Sequence, residues 1–250
     1  MAGAAVLGRL TWQLVAVSGL IDETATVRTI LLDRPAWSGG HRAGQHVDIR
    51  LTAEDGYQAQ RSYSIASAPD DDELALTVER LDDGEVSPYL VGELRPGDLV
   101  ELRGPVGGYF VWDDSLGGPL LLIGGGSGVV PLRAMLRHHQ ASGSTVPVRM
   151  LYSARTLDDV IYRNELERLR QEDEIDVRFT LTRAQPEGWR GYGRRIDREL
   201  LEEVSWPATE QPLVYVCGPT SFVETAAKVL VGLGHDPRRI RTERFGPTGT

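Results

Sequence analysis

A single cysteine, Cys217, in a chain of 250 residues rules out an internal disulfide and any iron–sulfur cluster held by four thiolates of this chain. Any such centre must sit on another molecule. Basic residues are also short, with 27 Lys and Arg against 36 Asp and Glu and a net charge of -9. General nucleic-acid binding needs clustered cations that outweigh local acids, so no nucleic-acid partner is expected. No uninterrupted apolar run approaches the roughly 20 residues that span a bilayer as a helix. Met1 to Leu10 is mildly apolar with Arg9, yet it has neither the hydrophobic block nor the small-residue cleavage site of a secretory signal. A soluble, cytoplasmic protein with no membrane partner is the expectation. The five histidines, His138 and His139 among them, lack the Cys or carboxylate spacing of a zinc site. They read as surface residues, and no metal is expected. The one low-complexity run, Asp70-Asp71-Asp72-Glu73, reads as a solvated turn.

What the chain does have is regular patterning of two kinds. Trp12–Val17, Val27–Leu32, His46–Leu51, Arg61–Ala66, Leu74–Arg80 and Leu99–Leu102 are short alternating or β-branched runs. Turn residues lie between them, at Ser18-Gly19, Ser38-Gly39-Gly40, Asp55-Gly56, Pro69-Asp70 and Pro96-Gly97-Asp98. Six such strands predict a small antiparallel β-barrel, since closure removes exposed edges, with a short helix over Val86–Gly92. After Asp113 apolar strands alternate with helices: Leu120–Ile123, Val129–Gln140, Val146–Tyr152, Ile161–Arg170, Ile175–Thr182, Asp197–Val204, Leu213–Val216, Phe222–Leu233 and Ile240–Glu243. That alternation predicts a doubly wound α/β parallel sheet. Gly and Pro cluster at Ser115-Leu116-Gly117-Gly118-Pro119, which places the expected domains at residues 1–114 and 115–250.

Two clusters carry chemistry. The strand ending at Ile123 runs into Gly124-Gly125-Gly126-Ser127-Gly128 and then a helix. Glycines there let the backbone approach a pyrophosphate, and the helix amides supply donors and a partial positive potential. Pro131 stands where dinucleotide folds place a third glycine; in the first helical turn it costs no helical hydrogen bond. Upstream, Arg61-Ser62-Tyr63-Ser64 sets a guanidinium, two hydroxyls and a phenol on one strand, which suggests a second ligand beside the first. Two cofactors in one chain point to electron transfer. Cys217-Gly218-Pro219 follows an apolar strand and precedes a helix, at the carboxyl edge where open α/β sheets bind ligands.

Together with Gly104-Pro105-Val106-Gly107-Gly108 and Glu243-Arg244-Phe245-Gly246, these motifs occur in the order found in the ferredoxin-NADP(+) reductase family, which the chain resembles over almost its whole length. That family pairs a flavin-binding barrel with an NAD(P)-binding α/β domain. The resemblance implies that Arg61 pairs with flavin phosphates, a use its planar fork suits; a strand-edge salt bridge is the other reading. It implies a flavin-binding strand in which Ser62 takes part, Tyr63 lies against the isoalloxazine and bonds the ribityl chain, and Ser64 reaches the N5 side. Ordinary barrel packing is the alternative for these. Gly84, Val86 and Ser87 would receive the flavin phosphate on helix amides and the Ser87 hydroxyl, or Ser87 would simply cap the helix. Val78 and Arg80 would line the flavin. Tyr109, Phe110 and Trp112 would cover an adenine, favouring FAD over FMN, or else pack in a core. Cys217 would sit beside the reactive nicotinamide carbon, flanked by Gly218 and Pro219, or be a buried structural thiol. Glu243 would be a polar contact or proton relay, or a surface carboxylate, and Phe245 would shield the flavin.

Nucleotide choice rests on two strand ends. Ser153-Ala154-Arg155-Thr156 and Thr182-Arg183 each set a hydroxyl beside an arginine, as a 2′-phosphate requires. NADPH is favoured over NADH, although Asp158 and Asp159 are close; Arg194 and Arg195 assist or face water. The expected activity is hydride transfer from NAD(P)H to FAD N5, with Ser64, Cys217 and Glu243 as catalytic residues. Single electrons then pass to ferredoxin or another metal-containing acceptor protein. Arg133, Arg137, Arg238, Arg239 and Arg241 would dock an acidic ferredoxin, or are solvated helix faces. A flavin reductase or diaphorase serving small acceptors is one alternative. A flavin-binding electron-transfer subunit with slight nucleotide turnover is another.

Overall fold

The computed structural model describes residues 10–171 and 175–246. Six strands build the first sheet: β1 (Gln13–Asp22), β2 (Val27–Leu32), β3 (His46–Thr52), β4 (Gln58–Ser64), β5 (Leu74–Glu79) and β6 (Leu99–Val106). Their order is β4-β3-β6-β1-β2-β5, with every neighbouring pair antiparallel. Beyond β4 the chain turns onto β5 through an Ile65–Leu76 bridge, and the Ala66 N–H donates to the Ala75 carbonyl at 2.8 Å. The sheet thereby closes on itself and leaves no long edge to recruit another strand. Val15, Val17, Ile30, Leu32, Val47 and Ile49 fill the interior, and helix α1 (Ser87–Gly92) adds Leu90 and Val91.

One glycine expected in a turn lies inside a strand. Ser18-Gly19 does not end β1; the register against β2 slips between Val17 and Gly19, a bulge inside a 10-residue strand. Gly104-Pro105 likewise lies within β6, which runs past the expected end at Leu102, and pairing with β3 shifts between His46 and Asp48. A Cβ on Gly104 would come within 2.8 Å of Val47 Cγ1, so only glycine lets the strands stay together there. The extended strand carries Val106 to a place beside His46.

The second sheet is parallel: β7 (Leu120–Gly125), β8 (Val148–Ala154), β9 (Ile175–Leu181), β10 (Leu213–Pro219) and β11 (Ile240–Phe245), in the order β11-β10-β7-β8-β9. Helices α2 (Val129–Ala141) and α3 (Arg163–Leu169) share one apolar layer with it, and α4 (Arg198–Val204) and α5 (Thr220–Gly232) share the other. The Asp197 carboxylate starts α4 by accepting the Leu200 N–H at 2.8 Å. Helix α3 begins later than its apolar pattern predicts because Tyr162 is held left-handed (φ 58°) and its hydroxyl donates to Thr77 Oγ1 of the barrel at 2.5 Å. The strand order reverses between β7 and β10, and this switch point opens a crevice at their carboxyl ends.

The two sheets are bonded through α2. Val27, Ala43, Ala66, Ala75, Phe110 and Trp112 join the apolar layer that covers β7 and β8. The acidic turn is not simply solvated: Arg137 grips Asp71 through two bonds of 2.6 and 2.9 Å, and His138 Nδ1 lies 2.7 Å from Asp70. Arg133 donates to the Ala66 carbonyl at 3.1 Å and pairs with Glu165 at 2.8 Å. Arg133 and Arg137 are therefore spent inside the molecule and do not form an open docking face. The histidines also depart from the surface reading. His41, His139 and His235 are buried, and His46 and His138 are half-buried. Helical spacing puts Met135, His138 and His139 on the inward side of α2, where the His139 ring lies 5.7 Å from that of Trp112.

Candidate active site

The carboxyl ends of β7, β10 and β11 meet the ends of β3 and β4 along a seam between the sheets. After β7 the chain makes a tight turn over Gly126–Gly128 before α2 begins. Gly126 is left-handed (φ +56°), and a Cβ there would meet nothing within 4 Å. The backbone is thus open to an incoming group. Ser127 is half-exposed beside it, and Pro131 is buried in the first turn of α2. Gly128 has a different reason: its Cβ would lie 2.1 Å from the Cys217 carbonyl oxygen. Gly125 is required by the Phe222 ring, 3.0 Å from its Cβ position. These two glycines let β10 and α5 pack against the turn.

On β4 the four polar residues divide. Ser64 is buried and its Oγ has no hydrogen-bond partner among the described residues. Tyr63 is half-buried against the barrel core; burial pushes its phenol up to about 12, and its hydroxyl meets no partner among the described residues. Ser62 is committed elsewhere, donating to Asp48 Oδ1 at 2.7 Å while Arg103 holds Oδ2 at 2.7 Å. Burial alone would raise the Asp48 carboxyl, but these bonds outweigh it and lower it. The Ser62 hydroxyl therefore braces the barrel wall and does not face a ligand. Arg61 forms the strand-edge pair, with Nη2 2.5 Å from Glu85 Oε2, and the Tyr57 hydroxyl donates to Glu85 Oε1 at 2.5 Å.

That pair sets Arg61 beside Gly84, Glu85 and the start of α1. The helix is capped by Val86 without a side-chain bond, so Ser87 is not the cap. Its Oγ accepts the Leu81 N–H at 3.0 Å, which leaves the O–H to donate. Val86 and Val78 lie wholly inside the barrel core and can offer a ligand only backbone. Burial is unbroken from Leu74 to Val78, which leaves Val78 no outward face. Arg80 is exposed and pairs with Asp82 at 3.0 Å. Phe110 and Trp112 are core residues, Phe110 meeting the Tyr215 ring edge-on at 5.2 Å, so neither covers an adenine. Tyr109 alone of the three is open to solvent, 63% exposed.

At the far wall, Cys217 and Glu243 are register partners on β10 and β11, with Pro219 beside Phe245 two residues on. The Cys217 thiol is fully buried; burial, then the Glu243 charge, raise its pKa. Glu243 is not a surface carboxylate. Burial pushes it up to about 7, and its Oε2 is buried with no partner among the described residues. Its Oε1 lies 4.0 Å from Nδ1 of His46, the residue opposite Ser64 on β3. No motif marked His46, which looked only like the first residue of a strand; the register of β3 against β4 is the signal that finds it.

Arg155 and Arg183 are exposed at the ends of β8 and β9 and are joined by the Arg183 N–H donating to the Arg155 carbonyl at 2.8 Å. Neither guanidinium has a partner among the described residues. The neighbouring Thr156 hydroxyl is engaged with Asp159 at 2.7 Å, so that carboxylate caps a turn. Arg194 pairs with Glu199 at 2.7 Å. Two cavities lie elsewhere, about 140 Å³ beside Arg34 and His41 and about 410 Å³ beside the edge strand β9. Neither includes Ser64, Cys217, Glu243 or the Gly126 turn. Among the described residues no helix is long and apolar enough to cross a membrane.

Comparison with known proteins matches this geometry. The model of oxidoreductase FAD-binding domains fits residues 14–111, and that of oxidoreductase NAD-binding domains fits residues 122–228. The chain is 37% identical to a ferredoxin–NADP reductase B of Sorangium cellulosum, over 81% of this chain and 84% of that protein. It is 32% identical to a glycine betaine monooxygenase reductase subunit of Pseudomonas aeruginosa, over 95% of this chain, and spans only 66% of that subunit's length. Among solved structures, the FAD/NAD-binding domain of a Vibrio cholerae nitric oxide dioxygenase superposes with a TM-score of 0.83 at 27% identity, covering 94% of this chain and 98% of that one. An Amycolatopsis cytochrome P450 reductase gives 0.81 at 28% identity, covering 96% and 71%.

Proposed function

Because the chain belongs to the ferredoxin-NADP(+) reductase family of FAD- and NAD(P)-binding oxidoreductases, we propose that it takes hydride from NADPH, in preference to NADH, and passes electrons singly to a separate ferredoxin or oxygenase component. In this reading residues 1–114 are the flavin part and residues 115–250 the nucleotide part. Bound flavin supplies what no side chain here can, accepting two electrons together and releasing them one at a time.

The observation that carries the reading is a pair of buried, unpartnered polar atoms at the seam, Ser64 Oγ on the barrel and Glu243 Oε2 on the parallel sheet. Buried polar groups are nearly always paired, and these two fit the hydrogen-bonding edges of rings held between the walls. The Tyr63 phenol suits a sugar-alcohol hydroxyl. Arg61, with the amides from Gly84 to Ser87 and the Ser87 O–H, suits a diphosphate. On the other wall the open backbone at Gly126, with Ser127, receives the nucleotide pyrophosphate. Cys217 and Gly218 floor the nicotinamide space, the thiol staying neutral, while Pro219 and Phe245 cover it. The protein aligns the two ligands and keeps water from them.

NADPH preference is supported by the two unpaired guanidiniums of Arg155 and Arg183. A separate acceptor is supported by what the relatives are named for. The test is acceptor choice: the FAD-loaded protein with NADPH should reduce ferredoxin or cytochrome c much faster than free flavin. Reduction of free flavin alone would make it a small-acceptor reductase, and bound flavin that neither nucleotide bleaches would make it an electron-transfer subunit.

A further inference from the structure

Strand β9 is an edge of the parallel sheet, and only part of that edge is covered. The Tyr192 N–H donates to the Phe179 carbonyl at 3.0 Å, and the Leu181 N–H donates to the Tyr192 carbonyl at 2.9 Å. Backbone groups of residues two apart on a strand point the same way, so the N–H and C=O of Val177 face this edge too. They have no partner among the described residues, although Val177 is only 3% exposed. In front of them lies the cavity of about 410 Å³. A buried backbone donor and acceptor left open together are rare in a folded protein, and these border a space large enough for a ligand. Aromatic walls stand on both sides of the sheet's plane: Phe179 and Trp189 pack with the layer of α2 and α3, and Tyr192 with that of α4 and α5. Trp189 is held in place, its indole N–H donating to the Tyr192 carbonyl at 3.0 Å and its ring crossing Gly191, where a Cβ would come within 2.5 Å of it. Most charges at the rim are spent. Asp176 holds Arg178 at 3.0 Å, Glu203 accepts the Tyr192 hydroxyl at 2.7 Å, and Arg170 pairs with Glu167 at 3.2 Å. Arg190 is exposed, and its guanidinium has no partner among the described residues.

We propose that this edge cavity binds a nucleoside monophosphate, at a site separate from the nucleotide space of the seam. The base continues the plane of the sheet between Trp189 and Tyr192. Its edge donates one hydrogen bond to the Val177 carbonyl and accepts one from the Val177 N–H, the exchange that a residue of an added strand would make. The two ring faces meet aromatic side chains, which suit a flat ligand. The phosphate meets Arg190, because the unspent charge at the rim is a cation. The cavity opens beside Asp176 to Phe179, in the first part of β9 (Ile175–Leu181). Arg183, assigned above to NADPH, lies beyond the other end of that strand, five residues from Arg178 and about 16 Å away at the rise of an extended chain. The two sites therefore fill independently.

The test is amide NMR of the full chain in saturating NADP(+), with AMP as the probe. Before AMP is added, the Val177 amide should exchange with solvent about tenfold faster than that of Arg178, which faces β8. AMP should then shift the Val177 amide and the Trp189 indole N–H along one saturable curve and slow Val177 exchange about tenfold. Arg190→Ala should weaken AMP about tenfold and leave adenosine nearly unchanged, while Arg183→Ala alters neither. A Val177 amide already as protected as that of Arg178 overturns the open edge. Val177 and Trp189 signals that stay in place up to about 10 mM AMP, well above a weak millimolar affinity, overturn the site. AMP binding that Arg190→Ala leaves intact overturns the monophosphate, and binding lost in Arg183→Ala overturns the separation from the seam. Failure of NADP(+) to bind would count against the functional reading instead, and the Val177 signals would still decide this site.

Discussion

Single side chains at the seam differ mainly in whether the fold has already supplied them with a partner. Arg61 has one in Glu85, a carboxylate lowered first by the Tyr57 hydroxyl and then by Arg61 itself. A flavin diphosphate arriving at Arg61 meets that negative charge. Glu85→Gln should tighten FAD binding several-fold at low salt and progressively less as salt rises; fluorescence titration of the apoprotein checks it, and unchanged affinity would place the diphosphate elsewhere. Arg183 has no partner, so Arg183→Ala should weaken 2′-phosphoadenosine binding about tenfold, the usual worth of a hydrogen bond between charged groups, and leave adenosine binding nearly unchanged. Glu243 gives a pH signature. Its raised value means the native protein holds a proton that the unfolded chain has already lost. Stability is therefore unaffected below 4.5 and declines as pH rises toward and through 7. Glu243→Gln should flatten that decline by roughly 2–3 kcal/mol, read from denaturation midpoints at pH 5 and 8.

At the scale of elements, glycines that look alike in sequence do different work. Gly128→Ala would force a Cβ to within 2.1 Å of the Cys217 carbonyl oxygen, and the three nearest atoms are all backbone. It should destabilise the protein by about 3 kcal/mol or more. Gly126→Ala meets open space and should cost only about 1 kcal/mol for its left-handed backbone, while weakening nucleotide binding more than stability. Thermal melts beside nucleotide titrations separate the two. Strand and helix patterning was legible because alternation and helical spacing record which faces are buried, as β6 and α2 show. The bulges at Ser18 and Gly104 were not, because a strand glycine and a turn glycine read alike until the partner strand fixes the register. The site was legible where a motif is contiguous, as in Arg61 to Ser64 and Gly126 to Pro131. His46 stayed hidden because its meaning comes from Ser64 on the next strand and Glu243 nearly 200 residues on.

Over the whole molecule, the barrel and the parallel sheet are locked by polar contacts on an apolar seam. Asp71 and Arg137, His138 and Asp70, and the strained Tyr162 reaching Thr77 all cross it. The acidic turn and the α2 cations that suggested solvent or a docking partner serve this lock. Asp71→Ala and Arg137→Ala should each loosen it, and a double-mutant cycle should give a coupling of about 1 kcal/mol, modest because both side chains keep some solvent contact. Tyr162→Phe should lose about 1 kcal/mol with the hydroxyl.

The lock matters because Ser64 and Glu243 belong to different sheets, and only a fixed seam keeps both aimed at one reaction. The most direct measurement is an anaerobic titration of the FAD-loaded protein with NADPH and with NADH, followed by flavin absorbance. The flavin should bleach with one equivalent of NADPH, and NADH should need higher concentrations to do the same. A protein that binds no FAD, or whose bound flavin keeps its colour with both nucleotides, would contradict it.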